Sequence, residues 1–346
     1  MAGEFELIET YLAPLAAGHA GAFGLKNDAA VFPGGRDTSI VVTADTMVQG
    51  VHFLAEDPPE LVGRKLLRVN LSDIAAMGGR PFGYLLSVAL PPDLEQDEAQ
   101  DLGQDRGEAW FAGLARGLAE DQAAFHVGLL GGDTVSTSGP PVLSLTALGR
   151  VPADRVLRRD GARAGDDLYV SGSVGDAALG LLVLQDKLAE VPEAAGRALA
   201  DRYRLPQPRL KLGQALAEGG FARTAIDVSD GLVADLGHLA RGAGLAAELW
   251  AAEVPVSPAA LQVLAGAPEQ LETVLTGGDD YELLFSARES QRESLTELAQ
   301  QLDLPITRIG RFAKGEGVSV LGHDGRPLAL SRSGWEHLQD GSSSPA

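Results

Sequence analysis

The chain has 346 residues, 45% of them hydrophobic and 5% aromatic, with 43 glycines, a formal net charge of −20 and no cysteine. That length suggests two domains, and the glycine-rich, aromatic-poor composition suits alternating strands and helices better than an aromatic-rich β-sandwich. The missing cysteines exclude disulfides, thiolate zinc sites and cysteine nucleophiles, and with no basic run longer than Arg158-Arg159 nothing favours nucleic acid as a partner.

The first residues, Met1-Ala2-Gly3-Glu4-Phe5-Glu6, lack the basic and then apolar stretches of a secretory signal, and no apolar run reaches bilayer length. The expectation is a soluble, cytoplasmic protein with no membrane partner. Residues 38–44 are β-branched and apolar and read as a buried strand ending at Asp45. Pro58-Pro59-Glu60 opens a helix over 58–77. Its apolar spacing through Leu61, Leu66, Leu67, Val69 and Ile74 places Asp73 in the helix interior, and Gly78-Gly79 stops it. A strand at 82–90, an amphipathic helix at 95–124, a short strand at 127–130 running into a turn at Gly131-Gly132-Asp133, and a strand at 141–150 complete a first domain, 1–152.

The second domain, 153–338, repeats the alternation. Strands are expected at 167–171, 224–228, 245–250, 281–286 and 305–312, with helices at 176–188, 209–219, 231–242, 257–265 and 288–302. The polar tail 339–346 is expected to be disordered.

Asp28, Asp45, Asp73, Asp133, Asp227 and Asp230 recur at expected strand ends or helix starts. Four of their motifs are Thr43-Ala44-Asp45-Thr46, Asn70-Leu71-Ser72-Asp73, Gly131-Gly132-Asp133-Thr134 and Asp227-Val228-Ser229-Asp230-Gly231. So many acids in such places suggest several hard divalent cations, because Mg²⁺ prefers oxygen ligands and bridges to substrate phosphates. Singly, each has a bland reading. Ser229 or Asp230 could cap a helix, and Gly131-Gly132-Asp133 could be an Asx turn. Asp227 resists that reading because it adjoins an apolar strand, where an unpaired carboxylate is costly. Gly277-Gly278-Asp279-Asp280-Tyr281-Glu282 reads as a hairpin turn or a substrate-contacting turn, and His52 and Trp335 as structural residues or ligand contacts. Walker A, G-x-G-x-x-G and protein-kinase motifs are all absent.

Together these motifs, with Val51-His52-Phe53, Arg159-Asp160-Gly161-Ala162 and the Gly277–Leu283 stretch, resemble the thiamine-monophosphate kinase family over nearly the whole chain. That family shares a superfamily with aminoimidazole ribonucleotide synthetase, selenophosphate synthetase and a hydrogenase-maturation protein. The resemblance implies a two-domain α/β fold: an N-terminal mixed sheet that forms a barrel-like homodimer interface, and a C-terminal α/β sandwich. The implied reaction is direct transfer of a phosphoryl group from ATP to thiamine monophosphate, giving ADP and thiamine diphosphate. Residue by residue, metal roles carry to Asp28, Thr43, Asp45, Asp73, Asp133, Asp227 and Asp230, with Asp45, Asp73 and Asp227 at the catalytic centre. ATP contacts carry to Gly132, Asp133, Arg159 and Ser229, and substrate contacts to His52, Asp279 and Trp335. Several Mg²⁺ ions are implied beside ATP as co-substrate, and a monovalent-cation requirement stays open. Asn27 stands where the family often has a second aspartate, and Ala115-Arg116 where many relatives have a tyrosine beside the nucleotide. The lack of cysteine disfavours the hydrogenase-maturation and selenophosphate branches. The alternatives are another ATP-dependent enzyme of the superfamily and a non-catalytic sensor of ATP or a thiamine phosphate.

Overall fold

The computed structural model describes residues 6, 8–91, 106–188 and 190–335. The first part of the expected helix 95–124 and the tail 339–346 lie outside these residues. The N-terminal half is built on strands β1 (Ala30–Pro33), β2 (Thr38–Val48), β3 (Arg80–Leu90), β4 (Gly128–Ser136) and β5 (Val142–Pro152), in the order β1-β2-β5-β3-β4. Pairing is antiparallel except between β3 and β4. Helices α1 (Pro59–Ala76) and α2 (Arg106–Phe125) follow β2 and β3. Within one chain this sheet is open, with β1 and β4 at its edges; the described residues close no barrel.

Helix α1 is buried almost all round, the pattern of a helix covered on every side. Strands β2 and β5 lie on one side, and α2 and a helix of the second half on others. Its polar residues therefore need partners. Arg68 pairs with buried Asp121 of α2 at 2.6 and 3.0 Å and donates to the Pro206 carbonyl at 3.0 Å. That last bond ties α1 to the second half.

The C-terminal half holds β6 (Asp167–Ser171), α3 (Asp176–Leu184), α4 (Glu193–Arg204), α5 (Leu210–Gly219), β7 (Ala222–Asp227), α6 (Leu232–Ala243) and β8 (Ala246–Trp250). Then come α7 (Pro258–Gly266), α8 (Leu271–Thr276), β9 (Leu283–Ala287), α9 (Arg292–Leu302), β10 (Ile306–Ala313) and β11 (Gly317–Leu321). Its sheet runs β11-β8-β10-β6-β9-β7. Strands β6 and β9 are buried at every position. Helix α5 crosses α1 so closely that a Cβ on Gly213 would lie 2.0 Å from the Ala75 carbonyl oxygen. That close crossing brings β7 and its terminal Asp227 beside α1.

Two expectations are corrected. Asp45 lies inside β2, which runs on to Val48. Gly131-Gly132-Asp133 is not a turn but the middle of β4, because its backbone pairs in parallel with Leu85–Ser87. Helix α4, β1, α8 and β11 were not anticipated. Among the described residues no helix is long and apolar enough to cross a membrane.

Candidate active site

Thr43 and Asp45 alternate onto the face of β2 that meets α1. Asn70 and Asp73 sit one turn apart on that helix. The Asp45 N–H donates to Asn70 Oδ1 at 3.1 Å, and Asn70 Nδ2 donates to the Leu66 carbonyl at 2.9 Å. The Thr43 hydroxyl is bonded to the Asp73 carboxylate and lies 3.1 Å from the Asp28 carbonyl oxygen. Asp227, at the end of β7, completes the group: Asp28, Asp73 and Asp227 each offer an oxygen within 4.8 Å of the others.

Such crowding shifts protonation. Burial, then the charges of Asp45, Asp227 and Asp28, hold the Asp73 carboxyl well above the usual carboxylate range. Burial and the Asp28 charge push Asp227 up to about 8, against the opposing pull of Ser72 and Arg159. Carboxylates that resist ionising together form a site short of positive charge. An all-oxygen donor set of this kind fits a hard divalent cation such as Mg²⁺. Arg159 supplies one counter-charge, gripping Asp28 through Nε at 3.0 Å and Nη2 at 2.7 Å. Burial works against the Arg159 charge, but Asp28 outweighs it and the guanidinium is held above its ordinary pKa.

The turn from β7 into α6 carries Ser229 and Asp230. One oxygen of buried Asp235, Oδ2, accepts the N–H groups of Ser229, Asp230 and Gly231 at 3.1, 3.1 and 3.2 Å. Burial, then Asp230 and Asp227, push the Asp235 carboxyl up, while Arg159 and the Asp230 N–H pull it down. Asp230, Asp235 and His238 form a second group with ligand atoms within 4.8 Å. Burial, with Arg159 and Arg241 nearby, lowers His238 to about 4 and keeps it neutral. The Trp335 backbone N–H donates to the Asp230 carbonyl at 2.9 Å, which brings this exposed residue to the turn.

The 277–282 loop lies along the same turn. Asp279 and Tyr281 N–H groups donate to the Ser229 and Val228 carbonyls at 2.9 and 2.8 Å. Both residues have positive φ, +72° and +52°, conformations that non-glycine residues adopt only when their surroundings enforce them. Their neighbours do the enforcing. Asp280 turns inward and accepts the Gly175 and Ala177 N–H groups at the start of α3. Buried Glu282 takes Arg202, Arg209 and the Ser171 hydroxyl. Asp279 accepts from Lys65 Nζ at 2.9 Å, and the same ammonium reaches the His52 carbonyl at 3.0 Å. His52 Nδ1 accepts the Val48 N–H at 3.0 Å.

The fold thus gathers Asp28, Thr43, Asp45, Asp73, Arg159 and Asp227, sets Ser229, Asp230 and Trp335 beside them, and links His52 to Asp279. Gly132 and Asp133 stand apart, on the exposed edge strand β4. Gly132 is needed there because a Cβ would fall 1.7 Å from the Leu86 carbonyl oxygen. The Asp133 carboxylate turns to the Thr134 N–H at 2.9 Å. Lys65 and Asp235 lie outside the motifs, and Asn70 and Tyr281 stand within them without a role. A lysine and an asparagine inside an apolar helical pattern, and an acid four residues after Gly231, were the available signals.

Residues 26–151 match the family described as AIR synthase related protein, N-terminal domain, and residues 163–323 its C-terminal domain. Two such domains meeting at an acidic, Arg-countered cleft make this an AIR synthase related protein. Hydrogenase-maturation protein HypE from E. coli shares the fold at 20% identity and TM-score 0.67, covering 86% of each chain. Likeness is far higher to the thiamine-monophosphate kinases of Caulobacter vibrioides, 42% identical over 96% of this chain and 90% of that protein, and Escherichia coli K12, 36% over 97% and 98%. Among solved structures, AaThiL complexed with AMPPCP and TMP superposes with TM-score 0.82 at 30% identity, covering 97% of each chain. The kinase from Stenotrophomonas maltophilia K279a does so with TM-score 0.74 at 41%, covering 92% of this chain and 98% of that one. The chain belongs to the thiamine-monophosphate kinase family.

Proposed function

We propose that the protein transfers the terminal phosphoryl group of ATP to thiamine monophosphate, releasing ADP and thiamine diphosphate. The observation that carries this reading is the convergence of Asp28, Asp73 and Asp227 from three distant chain segments, with Asp45 and Thr43 alongside. Likeness to a structure holding an ATP analogue together with TMP supports it.

Phosphoryl transfer needs alignment and charge neutralisation more than covalent help from the protein. The attacking group is a phosphate oxygen whose second pKa is near 6, so it needs no strong general base. Asp28, Thr43, Asp45, Asp73, Asp133, Asp227 and Asp230 would hold Mg²⁺ ions. Bound there, the ions would supply charge neutralisation between two anionic phosphates. Arg159 would turn from Asp28 toward nucleotide phosphate, Gly132 leaves its backbone open to close approach, and Ser229 offers a hydroxyl. His52, Asp279 and Trp335 would receive the acceptor's rings.

Two further parts belong to the proposal. The chain divides at 152/153. It works as a homodimer in which the free face of the first sheet meets a second copy. Leu85 and Val135 are 43% and 52% exposed on that face, a patch that suits a partner surface. Edge strand β4, with Gly132 and Asp133, would then lie at the interface rather than in solvent.

The test is incubation with ATP, Mg²⁺ and thiamine monophosphate, with free thiamine as control and with K⁺ present or omitted, followed by chromatography. Thiamine diphosphate from the monophosphate alone supports the proposal. ATP binding without any product would point to the sensor instead.

A further inference from the structure

Lys65 is 3% exposed, in the middle of α1. A buried ammonium is costly unless its donors are all satisfied. Lysine has three N–H donors and no acceptor, and all three directions are filled. One goes to the His52 carbonyl at 3.0 Å and one to Asp279 Oδ2 at 2.9 Å. The third meets the Tyr203 ring, whose centroid lies 3.7 Å from Nζ. No donor is left for a ligand, so Lys65 acts through the groups it holds.

Those groups come from opposite halves of the molecule. The His52 carbonyl also accepts from the Tyr203 hydroxyl at 3.3 Å, so lysine and tyrosine together clamp the 50–53 turn. Asp279 lies 214 residues further on. Its Oδ2 is taken by Lys65, whereas among the described residues Oδ1 meets the Tyr281 hydroxyl at a long 3.3 Å. The Asp279 side chain keeps 30% of its surface exposed. One oxygen is anchored and the other is presented.

We infer that Lys65 is the positioning residue of the acceptor pocket. Its ammonium fixes Asp279 so that Oδ1 faces a cationic or amino-bearing heteroaromatic ring of the acceptor, and holds the backbone of the His52 turn through its carbonyl. The inference rests on the acceptor reading of Asp279 proposed above.

The test compares wild type, Lys65→Met, Asp279→Asn and the double variant. Kinetics are measured against thiamine monophosphate and against ATP, together with melting temperature. Methionine keeps the volume and removes the charge. Lys65→Met is expected to raise KM for thiamine monophosphate about tenfold or more while KM for ATP stays within about twofold. Asp279→Asn should show the same signature, and the double variant should be no worse than Asp279→Asn alone. An unchanged acceptor KM in either folded variant overturns the inference. So does a parallel rise in both KM values with a fall in melting temperature, or additive losses in the double variant. If Lys65→Met does not fold, Asp279→Asn alone decides by its acceptor KM. Wild-type protein that makes no thiamine diphosphate overturns the kinase reading, and this inference with it. Normal wild-type turnover with an unmoved acceptor KM in Lys65→Met overturns the inference alone.

Discussion

Asn27 and Arg159, 132 residues apart, are joined by one hydrogen bond: the Asn27 side-chain oxygen accepts the Arg159 N–H at 2.8 Å. This bond sets the Arg159 backbone so that its guanidinium straddles Asp28. An aspartate at 27 would accept the same N–H but would add charge to a cluster already short of cations. Asparagine therefore keeps the positioning and omits the repulsion.

Asn27→Asp is accordingly expected to bind Mg²⁺ more tightly, lowering the concentration for half-maximal activity severalfold, and to melt earlier in EDTA. Asn27→Ala loses the bond and should cost about 1 kcal/mol of stability, with a higher KM for ATP. Mg²⁺ titrations of activity and thermal melts check both. An unmoved Mg²⁺ requirement in Asn27→Asp would remove position 27 from the metal's surroundings.

The Asp227 carboxyl gives a pH dependence whose sign can be worked out. Its folded value of about 8 lies above the ordinary aspartate value, near 3.9 in an unfolded chain. The folded state therefore binds this proton more tightly. The stability it brings is complete below about pH 4 and is lost as pH rises through about 8. Metal-free protein should lose stability from pH 5 to pH 8, and Mg²⁺ should restore more of it at pH 8. Asp227→Asn in EDTA should melt about 2–4 °C or more above wild type at pH 8, with the gap narrowing as pH falls and closing only below about pH 4, while kinase turnover is lost. A difference from wild type that is the same at pH 5 and pH 8, or near-normal turnover at saturating Mg²⁺, would refute this account.

Much of this was legible in the sequence because it is local. Strand β2, helix α1, and the Asp227 and Asp279 turns follow from apolar periodicity and glycine placement. The grouping of Asp28, Asp73 and Asp227 was legible only through the family resemblance, since three acids spread over 200 residues of sequence carry no spacing signal. The Gly131-Gly132-Asp133 stretch misled. Paired glycines suggest a turn, yet here they let β4 approach the β3 backbone closely. Likewise the two acids of Gly277-Gly278-Asp279-Asp280 look equivalent in sequence. Positive φ at Asp279 turns one toward the cleft, and the start of α3 claims the other. Lys65 was hidden because its partners are long-range.

The dimer proposal can be tested on the free face of the first sheet. Leu85 points away from the helices, and its register partner on β4 is Gly131. Leu85→Glu places a charge where a second copy would pack, without disturbing the buried face that carries Tyr84 and Val88. Light scattering after size exclusion should show a dimer for wild type and a monomer for the variant. Activity should fall with it if Gly132 and Asp133 work only when β4 is covered. A monomeric wild type, or a dimeric variant, would count against this interface.

Asp235 has no proposed ligand contact of its own, yet it is expected to be as necessary as the residues that have one. Its single oxygen Oδ2 holds three consecutive N–H groups and thereby the backbone of Ser229, Asp230 and Gly231. The same turn receives the Asp279, Tyr281 and Trp335 N–H groups through its carbonyls. Removing the carboxylate orphans three donors at the junction of nucleotide, metal and acceptor sides. Asparagine can keep an oxygen in that position but makes neutral bonds, roughly half as strong. Asp235→Asn should therefore lose about tenfold in kcat/KM and Asp235→Ala about a hundredfold or more, the difference reflecting about 1–2 kcal/mol in the retained bonds. Loss should appear in KM for both substrates, because the turn supports both sides. Steady-state kinetics of the two variants, with circular dichroism as a check on folding, measure this. Equal activity in Asp235→Ala and wild type would show that the turn holds its shape without the carboxylate.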